Sequence, residues 1–373
     1  MKLILREISR FLIQRNRVDF LFILNRPEFR DFIDPLVSDL EGRGYKCLAL
    51  EPKHLKKEEI RGIKAPRVVI TTSEYPKISN FYFSKKVLLP HSIFIRDTTP
   101  TPLYLGNIHF LDFDFYFAPN IFWFEWILKC LSDIAYYSHL EIEKKSEKFI
   151  VLGGCVKKLP PKIYDPQPTT SETPLILYAP SVFSQELPLH RFHLDGHQIL
   201  LNLSQAFPRA KIVCRPHPTD MNRDYINVIA SSLTENSNIY FDLTLTPAID
   251  LYSKPDIVIT DLSGFAFTHQ FVTTLRPIFI FDKQLSPSLE RFTQLVTRFG
   301  DIASDVEELI GIVDRKLKMS DTLEKSDAEI FRKLFLSEVN NKNQLINDLI
   351  RIMKRKPSKD WVKVPFLFDD NSV

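Results

Sequence analysis

The amino-acid sequence predicts an α/β protein made of two domains of similar size, each built on a parallel sheet. Three observations lead to this fold class. The chain has 373 residues, more than twice the length of a typical domain of about 150 residues. Short apolar runs alternate along it with amphipathic segments of helical periodicity, a pattern typical of parallel strands joined by helices. A proline-rich segment near the middle divides this pattern into two series.

The first half of the chain contains six apolar runs that predict buried strands: 18–24, 45–50, 67–72, 86–90, 113–118 and 149–152. Helical periodicity lies between them, notably over 30–43 and 121–138. Because parallel strands need long crossover connections, which are usually helices, this order predicts a doubly wound sheet. We place this first domain at residues 1–158.

Residues 159–173 form the expected linker, since the segment PPKIYDPQPTTSETP, which follows Leu159 and ends at Pro174, combines five prolines with a Ser/Thr cluster,. A second domain is expected over 174–325, and the remaining residues, 326–373, are expected to form a charged helical tail. The second domain is predicted from five further apolar runs: 175–179, 211–215, 238–241, 256–260 and 277–281.

The composition excludes several classes of protein. An apolar fraction of 44% and a charged fraction of 25% are ordinary for a soluble globular chain,. The chain has only ten glycines and none of the common dinucleotide, P-loop, zinc-protease or serine-hydrolase motifs, which disfavours a nicotinamide or flavin cofactor,. The net charge of +3 gives no reason to expect a nucleic-acid partner,.

The sequence also predicts where the protein works. Its four cysteines are widely spaced without a C-x-x-C pair, and no apolar run approaches the ~18 residues that span a bilayer,. We therefore expect a cytoplasmic protein. The first segment, MKLILREISRFLIQRNR, predicts a basic amphipathic helix,. This helix either packs on the first domain or attaches the protein to anionic lipids on the inner face of the cell membrane.

Polar residues that follow predicted strands are candidates for ligand binding, because ligands of open α/β sheets bind at the carboxyl ends of the strands. Such groups occur at 90–92, 153–155, 178–181, 215–218 and 260–264. The sequence RPHP at 215–218 joins a permanent cation to an imidazole, which suits a phosphate and a nearby proton. The alternative is a loop that only ends a strand.

The other two informative strand ends also allow two interpretations. The sequence TDLSG at 260–264 precedes a helical stretch, so Asp261 or Ser263 could cap the helix while its amides bind phosphate oxygens. Capping without any ligand is the alternative. His91 follows a predicted core strand, where a lone histidine is more often structural than catalytic.

Two patterns could indicate a metal site, and we predict none at either. Asp112 and Asp114 form a D-x-D pattern, but the surrounding LDFDFYF equally describes a strand with one polar face,. His190, His193 and His197 could line one face of a helix, but no acidic or cysteine partner lies at helical spacing on that face,. A solvated surface is the expected role of these histidines.

Together these segments resemble the CDP-glycerol glycerophosphotransferase family, the teichoic-acid primases and polymerases. PAIDLYSKPDIVITDLSGFAFTHQFVTTLRPIFIFD at 247–282 looks like the family's I-T-D-Y-S-S element with its following helix and strand. YAPS at 178–181 resembles Y-A-P-T-W-R, RPHP matches R-x-H-P, and LPHS at 89–92 resembles the start of H-G-T-P-L-K. FDFYFAPNIFWFEWI resembles the next strand and helix, and GGCVKKLPPKIY lies where the family has G-x-P-R-x-D. The resemblance covers roughly residues 18–285.

The resemblance implies the GT-B fold, in which two Rossmann-like domains face a central cleft, here followed by the helical C-terminal tail. It also implies a transferase that needs no metal and no cofactor, with His91 and His217 as the catalytic pair. His91 would be the base facing the acceptor and His217 would stabilise the departing phosphate, although the two roles could be exchanged. The residues assigned to the nucleotide donor are Ser181, Arg215, Asp250, Asp261, Ser263 and Gly264.

The implied reaction moves a polyol phosphate, such as glycerol phosphate, from a CDP-activated donor to a hydroxyl of a lipid-linked or glycan acceptor, and so builds a cell-surface polymer. The chain departs from the family at four points: Ser92 replaces a glycine, Phe183 an arginine and Gly264 a serine, and the lysine of T-P-L-K has no clear counterpart. Because these positions surround donor and acceptor, other reactions stay open. They are glycosyl transfer from a CMP- or UDP-linked sugar for capsule or lipopolysaccharide, epimerisation of a UDP-sugar, and a degenerate subunit that only binds nucleotide or a partner transferase.

Overall fold

The computed structural model describes residues 18–25, 29–51, 66–72, 78–90, 108–138, 147–154, 173–182, 192–244, 251, 253–261, 263–281, 290–319, 321–335 and 342–364. The strands in these ranges are β1 (Phe20–Ile23), β2 (Cys47–Leu50), β3 (Val68–Thr71), β4 (Lys85–Leu88), β5 (Phe115–Ala118), β6 (Phe149–Leu152), β7 (Leu175–Tyr178), β8 (Lys211–Cys214), β9 (Ile239–Phe241), β10 (Ile257–Thr260), β11 (Ile278–Ile280), β12 (Asp301–Ala303) and β13 (Trp361–Lys363). The helices are α1 (Arg30–Gly42), α2 (Ile121–Ser138), α3 (Phe192–Ala206), α4 (Asp224–Ser232), α5 (Gly264–Thr273), α6 (Glu290–Phe299), α7 (Val306–Lys318), α8 (Lys325–Phe335) and α9 (Lys342–Met353).

The chain divides into two compact units, and each contains one sheet. The first unit consists of residues 1–93, 99–158 and 333–373, and the second of 94–98 and 159–332. The chain returns from the second unit to the first within α8. The last part of the chain, with α9 and β13, therefore belongs to the first unit.

The sheet of the first unit has seven strands in the order β13-β6-β5-β4-β3-β1-β2. Strands β1 to β6 run parallel to one another, and β13 pairs antiparallel with β6, with Trp361 opposite Val151. The sheet of the second unit has six strands in the order β12-β11-β10-β7-β8-β9, all parallel. All six strands of the second sheet therefore end at the same edge.

The central strands are sequences that can be buried on both faces. The segments FLFI of β1, VVIT of β3, FYFA of β5 and IVIT of β10 are buried at every position. Such continuous apolar runs are expected where helices cover both faces of a parallel sheet. The prediction of an α/β protein with two parallel sheets is confirmed, and each of the eleven predicted strands overlaps an observed one.

Two three-residue strands, β12 and β13, are absent from the sequence-based expectations. β13 lies in the tail, where the sequence predicts only helices, and it pairs with β6 as the edge strand of the first sheet. Trp361 packs its ring 5.3 Å from that of Phe115 and 6.1 Å from that of Phe149. Its indole N–H donates to Asp348 of α9 at 3.2 Å, and burial raises the pKa of that carboxyl. The tail is thus tied to the core of the first unit.

A pair of glycines ends β6 at the carboxyl edge of the first sheet. Gly153 and Gly154 have φ angles of 103° and 84°, a region that side chains other than glycine rarely adopt. A Cβ atom on Gly154 would lie 2.2 Å from Cδ1 of Phe117. Both the backbone conformation and the contact with Phe117 therefore require glycine at position 154.

No helix in the described ranges is both long enough and apolar enough to cross a bilayer.

Candidate functional site

The carboxyl edge of the second sheet collects the polar residues that follow its strands. In the order β10-β7-β8-β9, neighbouring strands are followed by Asp261, by Ala179 to Ser181, by Arg215 and by Asp242. The ladder continues past the strands, since Ala179 N–H donates to Ile259 O and Arg215 N–H to Tyr178 O, both at 2.9 Å. The strand topology therefore brings together residues from four separate parts of the chain.

Ser181 and Asp261 join the ends of β7 and β10. The backbone N–H and the hydroxyl of Ser181 both donate to Oδ1 of Asp261, at 2.7 and 2.5 Å. The Asp261 side chain is fully buried and Ser181 is almost so. A buried carboxylate that accepts two hydrogen bonds is well placed to hold two loops together, whereas direct contact with a phosphate would be repulsive.

The first turn of α5 lies at the same edge and is capped by Ser263. The Ser263 hydroxyl accepts from the Phe265 N–H at 3.2 Å, so Ser263 is the N-cap that the sequence allowed and Asp261 is not. Thr260 supports the cap: its hydroxyl oxygen accepts from Ser263 N–H at 3.3 Å and its O–H donates to Ala179 O at 2.8 Å. The N-terminus of a helix attracts anions through its dipole and its unpaired amides. Gly264 is the first helical residue and adds no side chain there.

Arg215 follows β8 and is paired with the carboxylate that follows β9. Its Nη1 lies 2.5 Å from Oδ2 of Asp242, with 8% of the arginine side chain and 21% of the aspartate side chain exposed. Burial disfavours the ionised form of Asp242, but hydrogen bonds from Thr244 and the charge of Arg215 outweigh it and lower the pKa of this carboxyl. The pair is therefore ionised at neutral pH.

His217 lies two residues beyond Arg215 and is partly exposed. Its Nδ1 lies 3.2 Å from the N–H of Thr219. Because a backbone N–H only donates, Nδ1 is the acceptor, and the neutral ring carries its proton on Nε2. In this tautomer His217 presents an N–H donor at Nε2, which suits a developing negative charge better than it suits proton abstraction.

A buried carboxylate supports the loop that carries His217. Asp220 is almost fully buried, and its N–H donates to His217 O at 2.8 Å. Its carboxylate lies 2.9 Å from Nε of Arg223. Burial, followed by the charge and the hydrogen bond of Asp220, raises the pKa of Tyr225, so this hydroxyl stays neutral. These contacts connect the turn that follows β8 to the start of α4.

The structure thus places most of the predicted donor residues at one edge of one sheet. The catalytic candidate His91 and the donor candidate Asp250 lie outside the described residues, as do Ser92 and Phe183. The residues at the edge are Ser181, Arg215, His217, Asp261, Ser263 and Gly264.

Sequence reasoning missed Asp242 and Asp220. Asp242 directly follows the predicted strand at 238–241, so the rule that selected the other strand ends could have found it. Asp220 gives no comparable signal, because it lies inside a turn and acts through contacts with the backbone and with side chains further along the chain.

The D-x-D pattern lies at the amino edge of the first sheet, away from the carboxyl ends of its strands. Asp114 directly precedes β5, and its two oxygens lie 3.4 Å from Lys85 Nζ and 2.8 Å from Lys86 N. Asp112 contacts Nδ1 of His109 at 3.2 Å. Both carboxylates are thus engaged by basic or backbone groups of the chain. Neither aspartate lies in a strand, since Asp112 ends the short 3₁₀ helix Ile108–Asp112 and β5 begins only after Asp114. The interpretation of this segment as a strand with one polar face is therefore wrong.

Across the described residues, no group of three or more His, Cys, Asp or Glu side chains is arranged to hold a metal ion. His193 and His197 of the histidine pattern lie in α3, and His190 lies outside the described part of the chain.

No family model matches the chain, and no curated protein sequence matches it. Solved structures do. The wall teichoic acid polymerase TagF is 13% identical, with a TM-score of 0.55 and coverage of 95% of this chain and 98% of that chain. S. aureus MnaA in complex with UDP is 10% identical, with a TM-score of 0.55 and coverage of 91% and 97%.

A third similar structure is the UDP-GlcNAc 2-epimerase of Neisseria meningitidis bound to UDP-GlcNAc, with 12% identity, a TM-score of 0.50 and coverage of 90% and 98%. At these identities the likeness shows the fold and not the reaction. The chain has the two Rossmann-like parallel sheets of the GT-B fold.

Proposed function

We propose that the chain is a transferase that moves a polyol phosphate, such as glycerol phosphate, from a CDP-activated donor to an acceptor hydroxyl and so extends a cell-surface polymer. One observation carries this proposal: Arg215, the first turn of α5 and His217 lie at the same edge of one parallel sheet. A guanidinium, a helix N-terminus and an imidazole N–H together suit a diphosphate whose charge grows during the reaction.

The similar structures support a nucleotide-linked donor. Two of them were solved with UDP or UDP-GlcNAc, and TagF is a wall teichoic acid polymerase. Cytidine is favoured over uridine by the resemblance of the segments at 178–181, 215–218 and 247–282 to the CDP-glycerol glycerophosphotransferases. The acceptor proposed with this donor is lipid-linked or a glycan.

In the proposed reaction the acceptor oxygen forms a bond to the phosphorus that carries the polyol. The bond from that phosphorus to the bridging oxygen breaks, and CMP leaves with the bridging oxygen. Arg215 and the amides of the first turn of α5 would bind the phosphate oxygens throughout. His217 would donate from Nε2 to the departing phosphate, and His91 would take the proton of the attacking hydroxyl.

The remaining parts of the proposal concern Asp250 and location. Asp250 is proposed to face the donor from the segment that follows β9.

The enzyme is proposed to work in the cytoplasm at the inner face of the membrane, attached through the basic segment at residues 1–16. Liposomes with anionic lipid should then retain the full chain at low salt and release a chain without residues 1–16. Equal retention of both chains would contradict this attachment.

A panel of nucleotides tests the donor class. A ligand that binds the native state raises the melting temperature in proportion to RT ln(1 + [L]/Kd). CMP, CDP and CDP-glycerol should raise it more than the uridine, guanosine or adenosine compounds at equal concentration. Selective stabilisation by uridine nucleotides would contradict the CDP-linked donor.

A second candidate function is epimerisation of a UDP-sugar, which the likeness to the N. meningitidis enzyme favours. An epimerase needs no acceptor, so a UDP-sugar incubated with the protein alone would be converted into its epimer. The transferase proposal expects no conversion under these conditions.

A further inference from the structure

We propose that Asp242 is a positioning residue of the donor site, which holds the Arg215 guanidinium in the orientation that binds the donor phosphates. The identity of the ligand rests on the proposed function, whereas the pairing of the two side chains is a feature of the fold. Asp242 touches no reacting atom in this proposal, and its effect on the donor passes through Arg215.

The strand order places Arg215 between Asp242 and the start of α5. Arg215 follows β8, and Asp242 follows the neighbouring strand β9. On its other side β8 is next to β7, and β10, which leads into α5, lies beyond β7. Nη1 of the guanidinium is fixed to Oδ2 of Asp242 at 2.5 Å. A phosphate at the first turn of α5 would therefore approach Arg215 from the side away from Asp242.

Asp242 is itself held in place. Its Oδ1 accepts two hydrogen bonds from Thr244, from the backbone N–H at 3.1 Å and from the hydroxyl at 2.6 Å. One carboxylate oxygen thus serves Thr244 and the other serves Arg215. The Asp242 side chain closes a turn with Thr244, which fixes the position of its carboxylate. The fixed carboxylate then fixes the Arg215 guanidinium.

This arrangement reduces the cost of binding an anion. A free arginine side chain has many rotamers, and ordering it opposes binding. Arg215 is already ordered and nearly buried, and its charge is balanced by Asp242 before any ligand arrives. Removal of the Asp242 charge should therefore release the guanidinium and weaken the binding of phosphates, even though it removes a negative charge from the site.

A double-mutant cycle tests whether Asp242 acts through Arg215. The affinities of the wild type, Asp242→Asn, Arg215→Ala and the double variant for CDP, for UDP and for inorganic pyrophosphate are measured by calorimetry. We expect Asp242→Asn to weaken CDP and pyrophosphate binding by about tenfold. In the Arg215→Ala background the same change should alter affinity by less than about twofold. Unchanged or tighter binding by Asp242→Asn, or an equal loss in both backgrounds, would overturn the proposal.

Asp301 supplies a matched control. Its carboxylate is 18% exposed and bonds to Lys316 at 2.7 Å, but it begins β12 and so lies at the amino edge of the same sheet. Asp301→Asn should lower the melting temperature and leave the affinity for CDP unchanged. If it weakens CDP binding as much as Asp242→Asn does, loss of an ion pair anywhere in the unit explains the effect and the positioning role is wrong.

A milder variant covers the case in which Asp242→Asn fails to fold. Thr244→Val removes one of the two hydrogen bonds to Oδ1 and keeps the ion pair, so CDP binding should weaken by about threefold, and unchanged affinity would count against the proposal.

Transfer activity is scored separately from affinity. A coupled pair in a protein that transfers nothing would refute the proposed reaction alone, and an uncoupled pair in an active transferase would refute the role of Asp242 alone. A wild type that binds none of the three ligands would refute both.

Discussion

Ser181 donates both its backbone N–H and its hydroxyl to the same oxygen of Asp261, across a separation of 80 residues in the chain. The bonds connect the ends of β7 and β10, and α5 begins three residues after Asp261. The position of the helix N-terminus therefore depends on a buried contact between two loops. In the proposed site, Asp261 and Ser181 build the phosphate-binding edge, and Arg215 and the α5 amides make the contacts with phosphate.

Removal of the Asp261 carboxylate should destabilise the second unit. Asp261→Ala leaves the buried N–H of Ser181 without its acceptor, which costs about 2 kcal/mol. Ser181→Ala removes only the hydroxyl bond and should cost about 1 kcal/mol. Urea unfolding measures both values. The double variant tests whether the two side chains are coupled. We expect it to lose less stability than the sum of the two single losses, whereas additive losses would show that the side chains act independently.

Position 263 separates helix capping from phosphate binding. Ser263→Ala removes the cap and should lower the free energy of unfolding by about 1 kcal/mol. Ser263→Asp keeps a good cap and a favourable charge for the helix dipole, so stability should be retained. The added negative charge would repel phosphates, so the affinity for CDP should fall by at least about tenfold.

Asp305 caps α7 through its side chain and provides the control for a cap outside the proposed site. Asp305→Ala should lower stability without changing CDP affinity. Normal CDP binding by a folded Ser263→Asp protein would show that no phosphate binds at the first turn of α5.

The tautomer of His217 predicts a graded response to substitution. His217→Ala should lower turnover by at least about 100-fold with little change in CDP affinity. Glutamine can place a neutral N–H donor near the position of Nε2, so His217→Gln should retain about tenfold more activity than His217→Ala. Steady-state kinetics at saturating donor measures both. Equal inactivity of the two variants, with folding intact, would instead indicate that His217 abstracts a proton.

Lys148 should make stability depend on pH in the alkaline range. Burial lowers the pKa of its ammonium from 10.5 to about 8, despite the nearby charges of Asp114 and Asp112. Between these pH values the unfolded chain binds a proton that the folded chain has lost, so this group makes the free energy of unfolding rise with pH, on the order of 3 kcal/mol over the whole interval. Below pH 8 both states are protonated and its contribution is constant.

Lys148→Met tests this assignment. The substitution removes both the buried charge and the donor to the backbone oxygens of Leu111 and Phe113, and these two losses change stability at pH 7 in opposite directions. The decisive quantity is the slope of stability against pH from 8 to 10.5, which should be less positive in the variant than in the wild type. Identical slopes would show that the ammonium has an ordinary pKa.

The sequence predicts most of the fold because the central parallel strands are buried on both faces. Continuous runs such as IVIT of β10 can be recognised without knowledge of their neighbours. The three-residue strands β12 and β13 carry too little pattern, and their pairing is decided by contacts such as that of Trp361 with Asp348.

The sequence predicts those residues of the candidate site that lie just beyond the end of a single strand. Arg215, His217 and Ser263 follow from residue type and position alone. The partners of Arg215 and Asp261 do not, because the contacts with Asp242 and Ser181 depend on which strands become neighbours. Sequence separation alone carries no information about that order.

The identity of the products tests the proposed function most directly. The purified full chain is incubated with CDP-glycerol and a lipid-linked or glycan acceptor, and the released nucleotide and the acceptor mass are measured together. The proposed transferase should release one CMP for each glycerol phosphate added to the acceptor, and Arg215→Ala should abolish both signals. Parallel incubations replace CDP-glycerol with a nucleotide sugar. Release of a nucleoside diphosphate with the gain of a sugar by the acceptor, or interconversion of a UDP-sugar without any acceptor, would contradict the proposed transferase.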